Sequence, residues 1–261
     1  MEQVTEGVWN RRTLKAPHRA ADKRERIRRM FSAIADRYDL LNHLLSLNRD
    51  RVWRKESVIE AGPEPGGRIL DLCCGTGDLA LEFSRSLGGK GDIYGVDFTL
   101  EMLALARNKS GQGEGGQRNA RCNLFNIKWI CADAEKLPFS REEFDRVSCA
   151  FGIRNLQDIR GGLREMHRVL KGGGKVVLVE FALPDNRIIS KLYECYFRLV
   201  LPWIGGMIAK DHNGAYQYLP SSVKTFYDAG QIKTLLEQAN FRSVQIKRLC
   251  LGAVLILSAR K

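Results

Sequence analysis

A short apolar run that breaks into a two-glycine turn and passes straight into a helical pattern constrains this chain more than any other feature. Residues 68–73 end in Cys74-Gly75-Thr76-Gly77, and Asp78 to Leu87 has helical spacing. The unit then repeats. Asp92 to Asp97 reads as a strand and Leu100 to Asn108 as a helix. Ile127 to Ala132 and Asp145 to Phe151 read as strands, Ile159 to Leu170 as a helix, and Lys175 to Phe181 as a strand. Strands that alternate with helices pair in parallel, with the helices covering the sheet. A helix from Ile232 to Ala239 is followed by two strands, Val244 to Leu249 and Ala253 to Ser258. They flank Gly252 and are expected to pair antiparallel. The expectation is an α/β, Rossmann-like fold: a mostly parallel seven-stranded sheet with helices on both faces.

Other segments flank this pattern. Ile27, Met30, Phe31, Ile34, Tyr38, Leu41 and Leu45 recur at spacings of three and four, one apolar helical stripe. A second helix is predicted from about Arg51, before a linker at Pro63, Pro65, Gly66 and Gly67. Residues 26–62 thus form an N-terminal helical cap on a domain spanning 26–261. Gly111 to Arg121 reads as a flexible loop. Residues 187–230 are expected to be an apolar helical insertion, greasiest from Ile188 to Ala209, which either packs or binds something greasy.

Charge sets residues 1–25 apart as a basic arm. The chain carries 42 Lys and Arg against 30 Asp and Glu in 261 residues, a net +12. Residues 10–29 alone contribute +7. Such an arm is either solvated or adheres to an anionic membrane, with nucleic acid a third partner for such charge. A composition 44% hydrophobic and 28% charged excludes a disordered or disulfide-scaffold protein. The uncharged stretch Leu199 to Ala209 has 11 residues, whereas a membrane-spanning helix needs about 20. The 7 cysteines include no CxxC pair, and the 4 histidines are scattered. Buried free thiols and no metal site are expected.

The glycine turn carries the chemistry. Gly75 and Gly77 let the backbone bend and a ligand approach closely. Leu79 or Ala80 stands where the dinucleotide fingerprint has its third glycine. Asp71-x-x-x-Gly75-Thr76-Gly77 instead matches the form that binds S-adenosylmethionine, the alternative being a plain strand-to-helix turn. Asp97 ends the second strand, 20 residues after Gly77, where a carboxylate can accept both ribose hydroxyls. As an alternative it simply caps a helix. Met102 can pack on an adenine, Asp133 and Ala134 can meet its edge, and Ala150 is counted with them. Ligand positions at successive strand ends define a crevice at the carboxyl edge of the sheet.

Further blocks narrow the reading. They are Phe31 to Asp39 with Asn42, Arg51-Val52-Trp53-Arg54, Leu70 to Ala80 with its double cysteine, and Asp133 to Phe139 followed by Phe144-Asp145. Phe151-Gly152-Ile153-Arg154-Asn155, Arg168 to Lys171, Glu180-Phe181, and Ala215 to Pro220 with Ser222 complete the set. From Met30 to Gly252 the chain resembles the ubiquinone/menaquinone biosynthesis C-methyltransferases, a class I S-adenosylmethionine-dependent family. Gly172 stands where that family has proline, and Asn240-Phe241 where Gly-Phe is usual.

The resemblance implies methyl transfer from S-adenosylmethionine to a ring carbon of a polyprenylated quinol. Demethylmenaquinol is the expected substrate, and a polyprenyl methoxybenzoquinol of ubiquinone biosynthesis the alternative. More distant alternatives are a nucleic-acid methyltransferase and a non-catalytic subunit of a quinone-synthesis assembly. A site of this kind must stabilise phenolate and align the ring. Arg154 is the expected phenolate partner and Asn155 the residue that orients the other ring oxygen. His212 and Tyr216, with Asp211, are candidate proton acceptors. Besides the quinol, the expected partners are an anionic membrane surface and a second copy of the chain; nucleic acid is not expected. The expected location is the cytoplasm, or the periphery of the inner membrane face.

Overall fold

The computed structural model describes residues 8–10, 13–112, 126–184, 186, 189, 191, 193 and 214–261, without the side chain of Tyr216. The strands are β1 (Arg68–Leu72), β2 (Asp92–Asp97), β3 (Ile127–Cys131), β4 (Phe144–Ala150), β5 (Leu170–Phe181), β6 (Arg242–Leu249) and β7 (Val254–Arg260). They form one sheet in the order β3-β2-β1-β4-β5-β7-β6. β1 to β5 run parallel, and β7 runs antiparallel to both β5 and β6. The helices are α1 (Lys23–Leu45), α2 (Arg49–Ala61), α3 (Asp78–Ser86), α4 (Leu100–Lys109), α5 (Ile159–Val169), α6 (Ala215–Lys224) and α7 (Ala229–Gln238).

Alternation along the strands sorts side chains to two cores. Leu70, Leu72, Val176, Leu178, Leu255 and Leu257 face one core, with Leu163 and Met166 of α5 and Ile232 and Leu236 of α7. Ile69, Val177, Val179, Val254 and Ile256 face the other, with Trp53 and Val58 of α2, Phe83 of α3 and Leu103 of α4. Near-continuous apolar runs such as Val176–Val179 and Val254–Leu257 are what a sheet covered on both faces requires. The strand order turns back between β1 and β4, so the crevice at their carboxyl ends is open to a ligand.

Three details differ from the sequence reading. β5 begins at Leu170 because Leu170 already pairs with Phe144. Residues 171–174 then bulge out before Lys175 pairs with Arg146. α2 starts at Arg49, since Leu47 and Asn48 adopt the left-handed region (φ 51° and 60°) and turn the chain within two residues. The boundary expected at residue 25 falls inside α1, which starts at Lys23.

The described part of the basic arm is packed, not free. Trp9 is buried, 4% exposed, and stacks on Tyr218 of α6 with ring centroids 4.5 Å apart. Pro17 is buried, and the His18 ring shares a hydrogen bond with the Ser222 carbonyl oxygen at 2.8 Å. Lys23 is 1% exposed, donates to the Leu156 carbonyl, and is pulled down to about 8 by burial. The basic residues that follow find acids within the fold. Arg24 pairs with Asp133 and Glu135, Arg26 with Asp22, and Arg28 and Arg29 with Glu25. Replacing Trp9 by alanine is therefore expected to lower unfolding free energy by about 3 kcal/mol or more, as for a buried large aromatic. An unchanged denaturant midpoint would show that this packing adds nothing to the fold. Among the described residues, no helix is long and apolar enough to cross a membrane.

Candidate active site

The turn after β1 needs both of its glycines. Gly75 and Gly77 have φ of 53° and 84°, where an L side chain is strained. At Gly77 a Cβ would also sit 2.4 Å from the Trp129 ring of β3. The turn is tied to the end of β2. Gly75 N–H donates to Asp97 Oδ2 at 2.9 Å, and Thr99 N–H donates to Oδ1 at 2.9 Å. Asp97 is 7% exposed, and burial raises its pKa against the pull of those N–H groups.

Gly75, Asp97, Met102, Asp133, Ala134 and Ala150 line one crevice, so six of the nine expected cofactor residues come together. The other three do not line it. Asp71 lies under the turn, 1% exposed. Its Oδ1 accepts from Ser148 Oγ at 2.8 Å, and burial pushes its carboxyl up to about 7. Thr76 accepts from Lys109 Nζ at 2.9 Å, and Gly77 packs behind the turn. Arg24 and Gln157, which sequence reasoning missed, also line the crevice. Arg24 reaches Asp133 at 2.8 Å and Glu135, 111 residues away, at 3.0 Å, pairings that sequence spacing does not signal.

A larger cavity of about 510 Å³ adjoins the crevice. Phe31, Tyr38, Cys73, Gly75, Ala150 and Phe151 line both. Tyr38 is half-buried, and its desolvation raises the phenol pKa. Trp53, Phe151 and Phe181 pack in this wall with centroids 4.5–5.9 Å apart. Arg54 bridges Asp50 and Asp78 at 2.6 and 3.1 Å. His43, Asp50 and Asp78 bring ligand-type atoms within 4.8 Å of one another, but that guanidinium already supplies the cation between the carboxylates.

Arg154 borders the larger cavity from a 3-10 turn after β4, Ile153–Asn155. It is 5% exposed. Its Nη1 donates to Glu180 Oε1 at 2.6 Å and to the Phe151 carbonyl at 2.7 Å. Its Nε is buried with no protein acceptor. Burial works against the guanidinium's charge and Glu180 works for it, and the net pKa lies above the ordinary value. Glu180 is fully buried near the end of β5. A carboxylate closing the apolar run Val176–Val179 was the available signal for a buried counter-ion. Asn155 Oδ1 accepts from the Tyr218 hydroxyl at 2.9 Å, and Asn155 Nδ2 donates to the Phe151 carbonyl at 3.3 Å. Burial raises the Tyr218 phenol, so it remains protonated and able to donate. Arg154 and Asn155 thus come together. Tyr216 lies in α6, its side chain outside the described residues, and Asp211 and His212 lie outside them altogether.

Comparison with known proteins agrees with this geometry. A Geobacter sp. (strain M21) protein named Ubiquinone/menaquinone biosynthesis C-methyltransferase UbiE is 44% identical, over 86% of this chain and 92% of its own length. A Staphylococcus aureus (strain MRSA252) protein named Demethylmenaquinone methyltransferase is 35% identical, over 86% of this chain and 88% of its own. In fold, the chain resembles a SAM dependent methyltransferase from Aquifex aeolicus. The TM-score is 0.59 and the identity 19%, covering 85% of this chain and 96% of that one. The profile described as ubiE/COQ5 methyltransferase family matches residues 19–261, and the chain belongs to that family.

Proposed function

We propose that this enzyme methylates the ring carbon of demethylmenaquinol to give menaquinol. The family makes it an S-adenosylmethionine-dependent C-methyltransferase of quinone biosynthesis. The donor fits the residues present: the positive-φ glycine turn leaves room for close approach, and Asp97, tied to that turn, lines the crevice where ribose hydroxyls would be accepted. S-adenosylmethionine supplies an electrophilic sulfonium methyl when bound, and the chain's own residues must do the rest.

The observation that carries the proposal is a buried, charged Arg154 bordering an apolar cavity that adjoins the crevice. A phenol titrates near 10, judged from tyrosine. A desolvated guanidinium favours the phenolate and with it the carbon nucleophile. Nη1 is taken by Glu180 and the Phe151 carbonyl, so the part of the guanidinium that borders the cavity away from those bonds would meet the ring oxygen. Glu180 holds the guanidinium in place. Tyr218 holds the Asn155 side chain, which lines the crevice and not the larger cavity, so it would orient the second ring oxygen from the crevice side. The aromatic wall of Trp53, Phe151 and Phe181 suits a fused bicyclic ring and supports the naphthoquinol reading.

The test is a paired assay with S-adenosylmethionine and two short-tailed acceptors, a demethylnaphthoquinol and a methoxybenzoquinol, read by mass spectrometry. One added methyl, gained faster on the naphthoquinol, is the expected result. Faster turnover of the benzoquinol would move the substrate to ubiquinone biosynthesis. Methylation of neither would overturn the quinol reading.

A further inference from the structure

The larger cavity opens beside the turn between α1 and α2. Leu47 and Leu251 line it and yet are 77% and 76% exposed, so they stand at its mouth. Leu40 and Leu44 are one helical turn apart on α1, each next to a cavity-lining leucine, Leu41 and Leu45. They are 58% and 41% exposed. Val52, one turn into α2, is 46% exposed. Among the described residues, five of the eight exposed large hydrophobic side chains therefore gather at one edge; Ile59, Leu100 and Tyr227 are the others. Trp53 Nε1 donates to Cys250 Sγ at 3.2 Å, which pins the Leu251 turn against α2. Scattered exposed leucines need no explanation, but a group at the mouth of an apolar cavity marks a contact surface.

Charge selects the partner. The exposed charged residues between positions 36 and 55 are Arg37, Arg49, Arg51, Lys55 and Asp36, a net +3. Leucines ringed by basic residues suit the boundary between lipid headgroups and acyl chains, where cations meet anionic headgroups and aliphatic side chains enter below them. We propose that this edge, the α1–α2 turn with the Leu251 turn beside it, docks on the surface of an anionic lipid bilayer. A lipid's ring and first tail carbons can then pass from the bilayer into the cavity without crossing water. The docking surface lies on folded helices; the cations from Lys23 to Arg29 are bonded to acceptors in the fold. The proposal takes its purpose from the quinol reading, but its test does not depend on that reading.

The experiment sediments the full chain with two kinds of vesicle, pure phosphatidylcholine and an equal mixture of phosphatidylcholine and phosphatidylglycerol. The wild-type chain should pellet with the mixed vesicles and stay largely in solution with the neutral ones. Leu40→Glu/Leu44→Glu and Arg51→Glu/Lys55→Glu should each lower partition to the mixed vesicles by about tenfold or more, because each pair puts two carboxylates against anionic headgroups. None of these four residues lines the cavity, so transfer to a soluble short-tailed naphthoquinol should stay at the wild-type rate. That rate also shows that the variants fold; if the leucine pair melts early, the basic pair carries the test. A wild-type chain that ignores both vesicles, or variants that pellet like wild type, would overturn the proposal. Vesicle binding that follows the expected pattern without any naphthoquinol methylation would sustain it and sink the quinol reading alone.

Discussion

Arg154→Gln is expected to lower kcat on a quinol by two or more orders of magnitude while S-adenosylmethionine still binds. Losing one preorganised donor to developing charge costs about 3–4 kcal/mol at the transition state, which sets the size of the effect. The variant also strands Glu180, which is fully buried. Breaking a buried pair from one side costs about 3–5 kcal/mol of stability, so a loss of activity alone is ambiguous. The double variant Arg154→Gln/Glu180→Gln separates the two effects: it should recover much of the lost stability and none of the lost kcat. The pH–rate profile separates them again. Without the guanidinium the phenol must ionise unaided, so the variant's rate should keep climbing further into alkaline pH than the wild type's. Wild-type kcat with an unshifted profile would make Arg154 a structural cation.

Asp97→Ala should weaken S-adenosylmethionine binding by about ten- to a hundredfold, the loss of a charge-assisted hydrogen bond of about 1.5–3 kcal/mol. The structure gives the residue a second task. Its two oxygens hold the Gly75 and Thr99 N–H groups, so the variant also releases the glycine turn from β2. Asp97→Asn should do little better, because its amide nitrogen would face one of those N–H donors. Calorimetric titration reads both variants, and unchanged affinity in Asp97→Ala would remove Asp97 from the cofactor site.

The sheet was legible in the sequence because short continuous apolar runs and two-glycine punctuation are local signals. β1, β2 and β4 begin and end within a residue of where the pattern puts them. The antiparallel close of β6 and β7 around Gly252 was readable for the same reason. What escaped were pairings across long stretches of chain. The charge of Arg24 reads as part of a solvated or membrane-adhering arm, since nothing near it in sequence names Asp133 as a partner. Glu180 could be seen as a buried acid, but its partner Arg154 lies 26 residues away on another element. The Tyr218 hydroxyl on Asn155 and the Trp9 ring on Tyr218 were invisible too, because aromatic side chains announce burial without naming a neighbour. The cofactor crevice is built on strand ends and was readable. The larger cavity is walled by segments far apart in sequence, and of these the apolar stripe of α1 was readable while the rest was not.

The clasp of residues 14–18 on residues 221–222 governs when the site can exist. Leu14 and His18 reach Ser221 and Ser222 across 207 and 204 residues. β7, which follows β5 and β6 in the chain, inserts between them. A chain emerging from the ribosome therefore carries the glycine turn and Asp97 long before Tyr218 arrives to hold Asn155. Contacts of such separation are slow to form, because the entropy of loop closure is spent before packing returns it. Until then Trp9 and Tyr218, which bury each other in the finished fold, stay uncovered. Assembly of the acceptor side is thus the late step of folding, and the aggregation hazard of this protein is concentrated in that interval.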